Sequence, residues 1–98
     1  MLTVTLPALV AGRDLADAFV DPLTGIDGDR VTVDARELTS GTASFAAQLV
    51  RRILVDAHAQ RLVLLGAPDV FAGYARDAAR KLHVAERLDV LDSLAEAV

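Results

Sequence analysis

The stretch VDARELTSGTASFAAQLV, residues 33–50, decides the fold. It opens on extended, apolar residues, passes through the small polar run from Thr39 to Ser44, and continues with apolar residues at helical spacing. Strand and helix differ in the period of their apolar pattern, so a change of period within one stretch marks a strand-to-helix junction. From Phe45 onward, Leu49, Val50, Ile53, Leu54 and Ala57 recur at three- and four-residue steps, while Gln48, Arg51, Arg52 and Asp56 fall on the other side. That pattern predicts an amphipathic helix beginning near Thr42. The hydroxyls of Thr39, Ser40, Thr42 and Ser44 then have two readings: Thr42 or Ser40 caps the helix, or the cluster presents a site.

On either side of the junction the same alternation continues. LTVTL (2–6) has period two and predicts a strand ended near Pro7. GRDLADAFVDPLTG (12–25) places Leu15 and Phe19 one turn apart, with Asp14 as the expected cap and Pro22 interrupting its later turns. GIDGDR reads as a turn and VTVDARE as the second strand. RLVLLGA (61–67) is a short continuous apolar run, suited to a strand buried on both faces. Pro68 and Asp69 open a third helix with Phe71, Tyr74, Ala75, Ala78 and Leu82 as its inner stripe. RLDVL predicts a last short strand, and DSLAEAV a terminal helix with Ser93 and Glu96 at capping-box spacing. The order β-α-β-α-β-α, with a short C-terminal strand and helix, predicts an α/β fold with a mainly parallel four-stranded sheet in a single domain over residues 1–98.

Composition narrows the function. Of 98 residues 53% are apolar, enough for one core, and cysteine is absent, which removes disulfides, thiolate metal sites and cysteine nucleophiles. No run approaches the ~18 apolar residues of a membrane span, and no basic residue precedes the apolar N-terminus. A cytoplasmic protein that does not engage membranes is expected. A net charge of -4 argues against nucleic acid as the main partner, because phosphate neutralisation needs a basic face.

Signatures of catalysis are scarce. There is no G-x-G-x-x-G, Walker loop or G-x-S-x-G elbow. His58 and His83 fall at the ends of different helices, where an imidazole suits the negative end of the dipole better than it suits a metal set. Neither an enzyme nor a bound cofactor or metal is expected. Asp34 ends an interior strand and is expected to orient the following loop by accepting backbone N–H groups. A small-molecule alternative gathers Asp34, Ser40, Thr42, Gly66 and Asp69 around a nucleotide or anion at the carboxyl ends of the strands. The start of the second helix, with its free N–H groups, is a place where a phosphate on a hydroxyl would sit well.

Residues 30–98 resemble a STAS domain, the module named for sulfate transporters and anti-sigma factor antagonists. The resemblance rests on the strand ending DAREL, the strand RLVLLG and the tail DSLAEA, in an unbroken element order. Where the family reads D-S-S-G this chain has Thr42, Ala43, Ser44 and Phe45, and SFAAQL is closer to STAS-like domains of unknown function whose helix opens S-S-F-A-x-x-L. The early GRDLADAF points to the same branch. The resemblance implies a non-enzymatic regulatory module that binds a protein partner, an anti-sigma factor-like protein with a kinase-type ATP-binding fold. It implies Ser44 as the phosphate acceptor, with Thr42 as its substitute. The docking surface would comprise Ser40, Gly41, Thr42, Ala43, Ser44 and Gln48, with Arg51 and Arg52 at its edge. An exposed edge strand at residues 2–6 offers a route to a homodimer.

Overall fold

The computed structural model describes residues 1–92; the expected terminal helix and its Ser93–Glu96 pair lie outside the described residues. The elements are β1 (Leu2–Thr5), β2 (Leu9–Val10), α1 (Arg13–Val20), β3 (Arg30–Asp34), β4 (Ser40–Gly41), α2 (Ala43–Val50), β5 (Arg61–Leu65), α3 (Asp69–Lys81) and β6 (Leu88–Leu91). The main sheet is parallel throughout in the order β1-β3-β5-β6, so the fold is α/β with a four-stranded parallel sheet. A sheet in chain order, joined by right-handed crossovers, carries its helices on one face. Val4, Val31, Val33, Leu62 and Leu64 point to that face and join the helices in one buried core. The opposite face carries the register row Thr3, Thr32, Val63 and Asp89, and the row Thr5, Asp34, Leu65 and Leu91. β1 and β6 are its edges.

The chain has three phenylalanines, and each helix supplies one. Phe45 lies between the other two, edge-on to Phe19 with ring centroids 6.0 Å apart and tilted against Phe71 at 6.1 Å. Phe45 is fully buried, its ring turned inward. The inner stripe of α3 differs from the expected one. Phe71, Ala72, Ala75, Ala78 and Ala79 are buried, while Tyr74 is exposed, because the face of α3 that meets α2 is set by small alanines that allow close approach. In α1 the buried residues are Ala16 and Val20, and Leu15 is exposed. Gly12, not Asp14, is the N-cap: its φ of 82° turns the chain sharply enough to start the helix where a side chain would be strained.

The second helix does not continue as α-helix to Ala57. After Val50 it widens into a π-helical turn over Arg51–Asp56, closed by the Ala57 N–H donating to the Arg52 carbonyl at 3.0 Å. Arg87 donates to the carbonyls of Leu54 and Ala59, both at 2.6 Å, and so ties the last turn of this helix to the segment that follows it.

Both histidines sit just past a helix end with positive φ, His58 at 58° and His83 at 61°. At α3 the His83 N–H donates to the Arg80 carbonyl and the Val84 N–H to the Ala79 carbonyl, with Val84 buried below. This is a Schellman motif, in which glycine usually fills the left-handed position. His83→Gly is therefore expected to stabilise the fold by about 1 kcal/mol, the lower end of the left-handed penalty for a residue with a Cβ. A urea midpoint that rises at unchanged slope is the expected readout; a midpoint that falls would mean that the imidazole itself holds the helix end.

Candidate functional site

The junction between β3 and α2 is tied to the N-terminal segment. β3 stops at Asp34 because the Asp34 carboxylate turns back to accept the Arg36 backbone N–H at 3.1 Å and the Arg36 side chain at 2.9 and 2.8 Å. Chiefly these side-chain hydrogen bonds hold the Asp34 carboxyl below the usual carboxylate range. Arg36 in turn lies across Gly66, where a Cβ would meet Arg36 Cγ at 2.5 Å. The chain then forms β4, which pairs with β2 in parallel, Leu9 with Ser40 and Val10 with Gly41. The Ala8 carbonyl accepts the N–H groups of Thr39 and Ser40 and the Thr39 hydroxyl. Gly41 sits against Phe71: a Cβ there would come within 2.5 Å of the ring and 3.0 Å of Val10.

Thr42 is the N-cap of α2. Its Oγ1 accepts the Phe45 N–H at 3.2 Å and the Gly12 N–H at 3.1 Å, and lies 3.2 Å from Ser44 Oγ. A hydroxyl oxygen has two lone pairs and one proton. With both lone pairs engaged by N–H donors, Thr42 donates its proton to Ser44. The four hydroxyls thus divide. All four residues are exposed, but the hydroxyls of Thr39 and Thr42 hold the backbone together, whereas Thr42 is the one hydrogen-bond partner of Ser44 Oγ among the described residues. Ser44 is the second residue of α2, within the turn whose N–H groups lack helical acceptors.

The other expected surface residues also divide. Gln48 donates to Asp17 at 2.9 Å, and Arg52 donates to Asp17 and Asp21, each at 2.7 Å. Gln48 first, and then Arg52, keep the Asp17 carboxyl below its ordinary value. Both side chains therefore hold α1 against α2 and do not stand free at the edge of a docking surface. Arg51 points outward and Ala43 is exposed.

No family model, curated protein or solved structure matches this chain. The site is therefore read from its own geometry. Of the residues gathered in the small-molecule alternative, Asp34 and Gly66 meet only through Arg36, which fills the space between them. Asp69 is exposed at the start of α3, and none of the three lines the cavity of about 220 Å³ formed by Thr39, Ser40, Gly41, Pro68, Val70 and Phe71. Sequence reasoning missed two residues beside that cavity. Leu9, paired with Ser40, is 68% exposed, and Val70 is 66% exposed. Leu9 sits in a short apolar stretch that the β2–β4 pairing turns outward, and Val70 falls outside the inner stripe expected for the third helix. Among the described residues, no helix is long and apolar enough to cross a membrane.

Proposed function

We propose that this chain is a non-enzymatic regulatory interaction module, STAS-like, that docks a protein partner over β4 and the start of α2. One observation carries the reading. Two large apolar side chains stand exposed near Ser40, Leu9 as its strand partner and Val70 in the lining of the same cavity, next to a helix start whose second residue presents an exposed hydroxyl bonded only to Thr42 among the described residues. Exposed apolar side chains grouped beside polar ones are the usual make-up of a docking surface. The resemblance of residues 30–98 to anti-sigma factor antagonists supports a cytoplasmic partner with a kinase-type ATP-binding fold. It also supports phosphorylation as the switch.

Of the two hydroxyls at the helix start, Ser44 is the acceptor that the hydrogen bonding favours. A phosphate on Thr42 would displace the N–H groups of both Gly12 and Phe45, whereas one on Ser44 disturbs only the contact between the two side chains. Peptide mapping of the protein from its native cells, with and without phosphatase, is expected to place a phosphate on Ser44 and none on Thr42. With the partner in hand, Ser44→Glu is expected to weaken the complex about tenfold or more, since a misplaced like charge in an interface costs several kcal/mol. A chain that stays unmodified across growth conditions would sink the switch and leave a constitutive docking domain.

A further inference from the structure

A second feature lies on the helical face, beyond the junction. α2 packs against both α1 and α3, and the small Ala47 on its outer side leaves a valley between them. A groove of about 380 Å³ runs there, with Ala47, Ala78 and Leu82 as its apolar floor and Arg13, Arg51 and Lys81 at its rim. Among the described residues neither Arg13 nor Arg51 makes an ion pair, and Lys81 shares the single carboxylate of Asp77 with Arg80. The neighbouring carboxylates Asp17 and Asp21 are already taken by Arg52. A chain of net charge -4 thus keeps a positive rim around an apolar floor, with two of its three cations outside any ion pair. Ser44 precedes Ala47, Gln48 and Arg51 by one and two turns of the same helix, so it stands at the head of this groove.

We infer that the groove seats an acidic amphipathic helix of the partner, its apolar stripe on the alanines and its carboxylates on Arg13, Arg51 and Lys81. The apolar floor suits a peptide side-chain stripe, and the positive rim supplies the charge complementarity that orients it. In a second copy of this chain the acidic amphipathic helix is α1, but its Ala16 and Val20 are buried in its own core and its Asp17, with Asp21 just beyond it, is held by Arg52. A phosphate on Ser44 would place like charge at the end of the groove where the acidic helix lies. The inference rests on the reading of the chain as an interaction module, but not on the modification of Ser44.

The test is a titration of isotope-labelled protein, followed by amide chemical shifts, with a short amphipathic helical peptide carrying glutamates beside a leucine-alanine stripe. The control is the same peptide with every glutamate replaced by glutamine. Shifts are expected at Ala47, Gln48, Ala78 and Leu82, with the glutamine peptide binding about tenfold more weakly or worse. Arg13→Glu combined with Arg51→Glu is expected to weaken the glutamate peptide by a similar factor. Both arginines are exposed and unpaired, so an unchanged starting spectrum shows that the variant is folded. Absence of binding, equal binding of the glutamine peptide, or shifts confined to Leu9 and Val70 would each overturn the inference. So would the same shifts produced by inorganic phosphate or ATP alone, which marks a small-anion pocket, or by raising the protein concentration alone, which marks self-association. Peptide binding that is indifferent to Ser44→Glu upholds the groove and shows that the switch does not act through it; phosphate on Ser44 without peptide binding overturns the groove and leaves the switch.

Discussion

Phe45→Ala is expected to destabilise the protein by about 3–5 kcal/mol, the usual cost of truncating a buried phenylalanine. The position is fully buried and its ring touches the phenylalanines of both neighbouring helices, so the void opens where α1, α2 and α3 converge. Phe19 and Phe71 also lose their partner, and a tilted or edge-on aromatic contact adds about 0.5–1.5 kcal/mol beyond area alone. Against a typical domain stability of about 5–15 kcal/mol, that loss is a large share. The urea midpoint should fall at unchanged slope, and the melting temperature should drop by more than about 10 °C. Phe45→Leu, which keeps most of the volume, should recover the greater part. A loss below about 1 kcal/mol for the alanine variant would mean that the three helices close over the gap and that the aromatic cluster is not what holds them.

Gly41→Ala is the second large effect, and it acts through the same ring system from the other side. A Cβ at position 41 would lie 2.5 Å from Phe71 Cδ1 and 2.6 Å from Cε1. A flexible side chain would swing away from such a contact, but Phe71 is buried and backed by Phe45. Overpacking of a rigid site typically costs about 1–3 kcal/mol, and this contact belongs at the upper end. Either the ring is forced into its neighbours or β4 lifts away from β2 and carries Thr42 with it. The mechanism is testable by a double-mutant cycle with Phe71→Leu, which removes the atoms that clash. The cost of Gly41→Ala should shrink in that background, with a coupling of about 0.5–3 kcal/mol. Strict additivity would place the strain elsewhere in the junction.

The fold was largely legible because its signals are periodic. β1, β3, β5 and β6 each carry an apolar or β-branched run, the helices between them carry three- and four-residue spacing, and consecutive strands of this kind leave few topologies. What was not legible is what depends on contacts between distant positions. β2 and β4 are two residues long and have no period, so nothing in LV or SG announces that they pair. The cap of α1 falls on Gly12 through its positive φ, and the acceptor of its N–H is the Thr42 hydroxyl, thirty residues onward. The π-helical turn after Val50 leaves the apolar spacing unchanged and is invisible to pattern reading. At the site, the helix start at Thr42 was readable from its hydroxyl. The division of labour between Thr42 and Ser44 was not, and neither was the use of Gln48 and Arg52 to hold α1. Leu9 was hidden for the opposite reason, as an apolar residue in apolar company that only the tertiary structure turns outward; Val70 lay off the expected stripe of its helix, and what was not legible is that it shares a cavity with Ser40.

The strand order has a consequence for how the molecule comes into being. Leu2 pairs with Val31, Val31 with Leu62, and Leu62 with Leu88, so each strand finds its neighbour one helix further along the chain. No strand has to be inserted between two that are already joined, and loop closure is no costlier for the last pairing than for the first. A chain leaving the ribosome can therefore add one strand-helix unit at a time to a growing edge. The clasp between Leu9–Val10 and Ser40–Gly41 closes as soon as β4 has followed β3, whereas the docking surface is complete only when α3 brings Val70 to it, after the third strand of the main sheet.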